Sequence, residues 1–155
     1  MNLYTLIRPL IFNLPPERAH KLALQFSGLT LGKMYRNGAL RQTLAGIEFE
    51  NPVGLSAGFD KNAEAINGLS RMGFGFLELG TVTPKAQEGN PKPRMFRLVE
   101  DEAVINRLGF NNAGLKVFCD NFSQAKRTLP LGANIGKNKL QKDAVADYIL
   151  SLIHI

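Results

Sequence analysis

The sequence predicts an α/β fold in which two short helices precede a series of strand–helix units. Three patterns support this prediction: helical apolar spacing near the N-terminus, short apolar strand segments that alternate with helical stretches from residue 43 onward, and polar turns after three of these strands. Strand–helix alternation implies a parallel sheet. The carboxyl ends of parallel strands share one edge, so the polar turns indicate a binding site on the open face of an α/β sheet or barrel.

The composition is that of an ordinary globular domain. The chain has 155 residues, of which 45% are hydrophobic and 21% are charged. A single cysteine, Cys119, excludes an internal disulfide framework. Cys119 shares an apolar helical stripe with Leu115 and Phe122, which predicts a packing role rather than a nucleophile.

The basic charge is concentrated at the N-terminus. The net charge is +6, and residues 1–42 carry six basic side chains against one acidic one. A basic, amphipathic start suits an anionic membrane surface, although solvated helix faces would explain it equally well. No segment approaches the roughly 18 apolar residues of a transmembrane helix, and no signal peptide is evident. We therefore expect a peripheral protein on the cytoplasmic side.

Residues 1–42 are predicted to form a helical hairpin. An apolar stripe indicates a helix over 3–12, with Pro9 late in it. Pro15-Pro16-Glu17 opens a second helix whose stripe continues to Leu29, and Gly32 is its predicted stop. Such a hairpin could serve as a lid, a dimer contact or a membrane foot.

Residues 43–149 are predicted to contain about three βα units. The predicted elements are strands over 44–49, 53–57, 74–80 and 131–135, a hairpin of 94–98 with 103–106, and helices over 62–72, 113–127 and from 143. A closed eight-fold barrel needs roughly 250 residues, so we expect the barrel to be incomplete here. Residues 150–155 match the translation of a transposase adapter used in DNA sequencing, and we expect a non-native tail; a genuine helix end is the alternative.

The turn after residue 54 carries the first candidate site. Ser56, Ala57 and Gly58 would let a planar ligand approach the backbone closely. Lys61 follows and could hold an anionic ligand or a reduced flavin. The alternative is a helix start with a solvated lysine.

Amide and hydroxyl side chains follow the other strands. Thr81 stands at a predicted strand end, where its hydroxyl could enter the site, although capping of a turn would explain it equally well. Asn134 stands at another, where a buried amide needs a partner. Asn106 to Asn112 form an amide-rich cluster, and amides match the alternating donors and acceptors of a uracil-like ring. An asparagine cap of the next helix would explain Asn111 or Asn112 but not Asn106.

These motifs together resemble the quinone-dependent, membrane-associated (class 2) dihydroorotate dehydrogenases. The resemblance covers residues 3 to about 149 and rests on segments 16–20, 51–61, 80–84, 89–94, 105–112 and 134–138. It implies FMN contacts by Ala57, Gly58, Phe59, Asp60, Lys61, Thr81 and Asn134. It implies orotate contacts by Lys61, Asn106, Arg107, Leu108, Gly109 and Phe110. His20 and Arg97 would lie near the quinone tunnel.

The resemblance also implies the activity and location of the parent protein. We expect a (β/α)8 barrel that oxidises dihydroorotate to orotate with FMN, passes electrons to ubiquinone or menaquinone, and serves pyrimidine biosynthesis. It would sit peripherally on the cytoplasmic face of the inner membrane. The family's serine base and FMN phosphate site lie beyond residue 155, so no catalytic residue is expected in this chain, which should be inactive alone.

Two other classes of function compete with this interpretation. Met72 to Leu79 imitates the aromatic strand of an RNA-binding RRM, but Met72 and Leu79 replace the expected basic and aromatic residues. We therefore expect no nucleic-acid partner. A non-catalytic membrane-surface scaffold would bind anionic vesicles but never flavin. Soluble, fumarate-using dihydroorotate dehydrogenases lack the N-terminal hairpin.

Overall fold

The computed structural model describes residues 3–29 and 37–155. The helices are α1 (Leu3–Phe12), α2 (Pro16–Phe26), α3 (Ile66–Leu69), α4 (Leu115–Gln124) and α5 (Ala144–His154). The strands are β1 (Gln42–Leu44), β2 (Ile47–Phe49), β3 (Gly54–Leu55), β4 (Phe76–Val82), β5 (Met95–Leu98), β6 (Ala103–Asn106) and β7 (Leu131–Ile135). Two single 3-10 turns span Ser27–Leu29 and Gly38–Leu40.

A parallel three-stranded sheet organises the chain. Its strand order is β3-β4-β7, with β4 in the centre. Leu77 and Leu79 of β4 are fully buried and belong to one apolar core with Ile66, Leu69 and Phe118 of the helices. The chain thus forms the first portion of a (β/α)8 barrel behind a helical hairpin, which confirms the predicted fold class.

The structure corrects the predicted strand over 44–49. Ala45 and Gly46 both adopt positive φ, at 51° and 78°, and join two strands in an antiparallel pair. Two successive residues of positive φ form the kind of tight turn that suits a hairpin. The single predicted strand was wrong because this turn interrupts it.

The predicted helix over 62–72 was also wrong in extent. Helix α3 covers only Ile66–Leu69, because the Asp60 carboxylate accepts hydrogen bonds from the backbone N–H groups of Glu64 and Ala65. Ala63 has φ 59°, outside the right-handed helical region. Residues 61–65 therefore form a turn. Strand β4 begins two residues later than predicted, whereas β7 and the β5–β6 hairpin lie where the sequence placed them.

The N-terminal hairpin has the predicted helices. Helix α1 contains Pro9, and α2 starts at Pro16 with Glu17 in its first turn. Gly32, the predicted stop, lies outside the described residues. Among residues 3–29 and 37–155, no helix is both long and apolar enough to cross a membrane.

Helix α5 packs its Asp147 and Ser151 inward. The Asp147 carboxylate accepts a hydrogen bond from the backbone of Asn138 at 2.8 Å. Ser151 is fully buried, and its hydroxyl has no hydrogen-bond partner among the described residues. An unsatisfied buried hydroxyl destabilises a fold, so Ser151 is a weak point of α5.

Candidate active site

A cavity of about 520 Å³ opens at the carboxyl ends of β3 and β4. It gathers most of the residues that the sequence singled out. Those lining it are His20, Ala57, Gly58, Phe59, Lys61, Thr81, Asn106, Leu108, Gly109 and Phe110. Asp60, Arg97, Arg107 and Asn134 do not line it. Ser56 and Met95 line it as well.

The loop after β3 is fixed to β4 through its backbone. The N–H of Gly58 donates to the carbonyl of Gly80 at 2.7 Å, and the N–H of Gly80 donates to that of Asp60 at 2.9 Å. Gly58 has φ 105°, in the left-handed region that favours glycine. The loop therefore presents small residues and backbone to the cavity in a set conformation.

The buried side chain of Asp60 stabilises the end of this loop. Its side chain is fully buried and accepts from the N–H groups of Glu64 at 3.0 Å and Ala65 at 2.8 Å. Burial raises the pKa of Asp60, and these backbone donors oppose that shift. The carboxylate is thus occupied within the turn and can act on a ligand only through the loop that it holds.

Lys61 provides the cation of the cavity. Its Nζ donates to Asn111 Oδ1 at 2.7 Å. Burial lowers the pKa of Lys61, the charge of Arg94 lowers it further, and Glu17 opposes both. From the sequence, Asn111 was interpreted as a possible helix cap. The adjacent amides of Asn111 and Asn112 were the sequence signal that could have indicated its contact with Lys61.

Thr81 and Asn134 form a polar chain at the ends of β4 and β7. Thr81 Oγ1 donates to Asn134 Oδ1 at 2.5 Å, and Asn134 Nδ2 donates to Glu78 Oε1 at 2.9 Å. Glu78, which sequence reasoning missed, thereby sets the orientation of the Asn134 amide. A Cβ on Gly80 would collide with the carbonyl oxygen of Asn134, so β4 and β7 meet closely here.

Residues 106–110 form the opposite wall. Asn106 ends β6 and is exposed, facing the cavity from the partner strand of Met95. Gly109 and Phe110 both have positive φ, at 74° and 52°. For phenylalanine this conformation is strained, and such strain clusters at functional sites. Arg107 instead donates to the carbonyl of Pro93 at 3.0 Å, which anchors this wall.

His20 and Arg97 connect the hairpin to the barrel portion in different ways. His20 stacks on Phe59 at 4.8 Å between ring centroids, and its Nε2 lies 2.6 Å from the Phe59 carbonyl oxygen. Arg97 donates to the carbonyls of Phe12 at 3.1 Å and Leu14 at 2.8 Å, at the corner between α1 and α2. His20 therefore lines the cavity, whereas Arg97 binds the hairpin corner.

Known proteins match both the sequence and the fold. A family model described as "Dihydroorotate dehydrogenase" matches residues 39–155. The chain belongs to the dihydroorotate dehydrogenase family. Within the parts of this chain that the structure describes, no three His, Cys, Asp or Glu residues lie close enough together to hold a metal ion.

Two curated relatives of this chain come from bacteria. A protein of Novosphingobium aromaticivorans named "Dihydroorotate dehydrogenase (quinone)" is 51% identical over 97% of this chain and 45% of its own length. One of Acinetobacter baylyi with the same name is 50% identical over 97% of this chain and 46% of its own length. The chain thus spans about half the length of the curated relatives it matches.

The solved dihydroorotate dehydrogenase structure from Eimeria tenella in complex with ferulenol has a TM-score of 0.84 and 41% identity, covering 94% of this chain and 43% of that chain. The ligand-free form from the same organism has a TM-score of 0.81 and 42% identity over 90% of this chain and 42% of its own. These likenesses extend through the hairpin as well as the sheet.

The fold disfavours the RNA-binding alternative. Only the second half of the segment 72–79 lies in β4, which begins at Phe76 and pairs in parallel with β3 on one side and β7 on the other. Leu77 and Leu79 are fully buried there. This half is thus part of a central strand, and its leucines pack in the core.

Proposed function

We propose that this chain supplies the hairpin and first barrel units of an FMN-dependent, quinone-reducing dihydroorotate dehydrogenase. The observation that carries the proposal is the convergence of Lys61, Asn106 and the small-residue loop after β3 on one cavity. The names of the curated relatives support the same activity. The parent protein would serve pyrimidine biosynthesis.

The residues of the cavity fit a flavin. The loop of Ala57, Gly58 and Phe59 offers close backbone approach, and the Thr81–Asn134 pair offers oriented dipoles. A bound flavin supplies two-electron hydride chemistry that no side chain provides. The chain would hold and orient FMN through this loop and pair, with Lys61 as the balancing cation.

The substrate would lie between Lys61 and the wall of residues 106–110. Dihydroorotate carries a carboxylate and a ring with alternating N–H and carbonyl groups. A cation suits the carboxylate, and the amide of Asn106 matches the ring edge. The proton acceptor would be the family's serine, which we place outside these 155 residues.

Quinone would approach from the hairpin side. His20 links α2 to the loop after β3, so the hairpin covers one mouth of the flavin cavity. Leu6 and Leu10 of α1 are 56% and 70% exposed and could dip into a membrane surface. We infer a peripheral enzyme on the cytoplasmic face of the inner membrane that takes ubiquinone or menaquinone.

Two half-reactions of the full-length protein test this proposal. Anaerobic dihydroorotate should bleach the bound flavin, and added quinone should restore its absorbance. Lys61→Ala should slow the bleaching. Lys116→Ala is its matched control and should not, because Lys116 lies on α4 and pairs only with Asp120 among the described contacts. Flavin-free protein that binds anionic vesicles would instead support the scaffold alternative.

A further inference from the structure

Arg94, just before β5, is enclosed by hydrogen-bond acceptors. Its Nε and Nη2 donate to the two carboxylate oxygens of Glu17, each at 2.9 Å. Its Nη1 donates to the carbonyls of Glu88 and Asn90. The Arg94 side chain is only 6% exposed and that of Glu17 is 28% exposed, so the pair is largely shielded from water. A bidentate pair of this kind fixes both distance and direction.

The pair joins two parts of the chain beside the cavity, next to His20 and Met95, which line it. Glu17 lies in the first turn of α2, and His20 follows one helical turn later on the same face. His20 contacts Phe59 in the loop after β3, so α2 is attached to the barrel portion at two successive points of one face. The position of His20 over the cavity therefore depends on where Arg94 holds Glu17.

The other described ion pairs lack this geometry. In the Arg41–Glu50 pair the arginine is 53% exposed, and in the Lys116–Asp120 pair the lysine is 88% exposed. Lys92 also approaches Glu17, at 3.9 Å, but is 71% exposed. Arg97 holds the hairpin corner through main-chain carbonyls and a cation–π contact with the Phe12 ring. Glu17 and Arg94 thus attach the hairpin through a bidentate ion pair, in which both side chains are specified.

We propose that Glu17 and Arg94 are positioning residues for the electron-acceptor half-reaction, which set α2 and His20 over the cavity without taking part in dihydroorotate oxidation. This proposal rests on the proposed function. Buried ion pairs contribute little net stability compared with apolar packing but define one arrangement of the groups around them. The effect on activity should therefore appear in quinone use, separately from the stability that is lost when the charge of Glu17 is removed.

The test compares Glu17→Gln, Glu17→Asp and Arg94→Lys with the control Glu50→Gln in the full-length holoenzyme. Glu17→Gln should leave anaerobic flavin reduction by dihydroorotate within about twofold of wild type. It should raise the KM for quinone by about tenfold. Glu17→Asp should recover part of that loss, and Glu50→Gln should resemble wild type. Arg94→Lys keeps the charge but loses the bidentate geometry of the guanidinium group, so it should resemble Glu17→Gln.

Each outcome separates this proposal from the proposed function. Equal losses in both half-reactions, or an unchanged KM for quinone in Glu17→Gln and Arg94→Lys, would overturn the positioning role. If Glu17→Gln does not fold, Arg94→Lys and Glu17→Asp give the same comparison. Wild-type flavin that dihydroorotate cannot reduce would instead refute the proposed function.

Discussion

Lys61 is a cation of the cavity whose burial works against stability. Burial lowers its pKa, so the fold disfavours its charged form and stability rises as pH increases through the lowered value. We expect Lys61→Met in the full-length protein to keep or raise the Tm while reducing flavin reduction by dihydroorotate about a hundredfold or more. Stopped-flow absorbance and thermal unfolding measure the two effects. Lys116→Met is the control, and a near-normal rate for Lys61→Met would remove Lys61 from the site.

Asn106 tests the opposite wall of the cavity. It is exposed at the end of β6, so its side chain contributes little to packing. We expect Asn106→Ala to retain the Tm and the bound flavin but to slow dihydroorotate turnover by about a hundredfold. Steady-state assays with Asn13→Ala, at an exposed asparagine of the hairpin, as the control would check this. Equal rates in the two variants would contradict the assignment.

At the residue scale, the sequence predicted most of the side chains that line the cavity, because parallel strands end at one edge, but Asp60, Arg107 and Asn134 were also predicted and do not line it. Ala57, Lys61 and Thr81 follow directly from that rule. The Glu17–Arg94 pair could not be predicted in this way, since its members lie 77 residues apart and no local pattern connects them. Only the docking of α2 brings them together.

At the element scale, the hairpin offers a pH-dependent attachment. The hydrogen bond from Arg94 lowers the pKa of Glu17, the charges of Arg94, Lys92 and Lys61 add to this, and burial opposes it. A carboxylate of lowered pKa contributes stability that is present above its ordinary value of 4.5 and lost as pH falls through the lowered one. The free energy of unfolding of the wild type should therefore exceed that of Glu17→Gln by about 1–3 kcal/mol at neutral pH, and the two values should converge in acid. Thermal unfolding of both proteins at several pH values measures this. A difference in Tm that stays the same at every pH would contradict it.

Deletion of the hairpin tests its role as a unit. Without residues 1–42, we expect the full-length protein to lose vesicle binding and long-chain quinone reduction while flavin reduction by dihydroorotate largely survives. The reason is that α1 exposes apolar side chains and α2 covers one mouth of the cavity. Vesicle sedimentation and quinone assays measure both losses. Unchanged long-chain quinone reduction would contradict the membrane-foot interpretation.

Two errors in the predicted secondary structure had local causes that hydrophobic periodicity does not reveal. The helix predicted over 62–72 shrank because Asp60 binds the backbone of the residues that would have begun it. The β1–β2 hairpin was missed because Ala45 takes a positive φ that alanine rarely adopts. Helix α1 and strand β7 had strong patterns and no such competitor.

At the scale of the whole molecule, the sheet has open edges. Neither β3 nor β7 has a second neighbour within residues 3–29 and 37–155, and Leu140 and Ile153 are 93% and 73% exposed. Open edges and apolar surface promote aggregation. We expect the purified 155-residue chain to be colourless, poorly soluble or molten, and inactive with added FMN, dihydroorotate and quinone. Absorbance, light scattering and turnover assays check this; a yellow, monodisperse and active protein would contradict it.

The separation of 77 residues between Glu17 and Arg94 also has a consequence in time. Ribosomes add about 5–20 residues per second, so α2 emerges about 4–15 seconds before the arginine that holds it. During that interval, α1 and α2 have no barrel face to dock on, while Leu6 and Leu10 are already available to a lipid surface. If the hairpin binds the membrane as proposed, that attachment could begin before the cavity exists, and the later strands would then fold beside a bilayer.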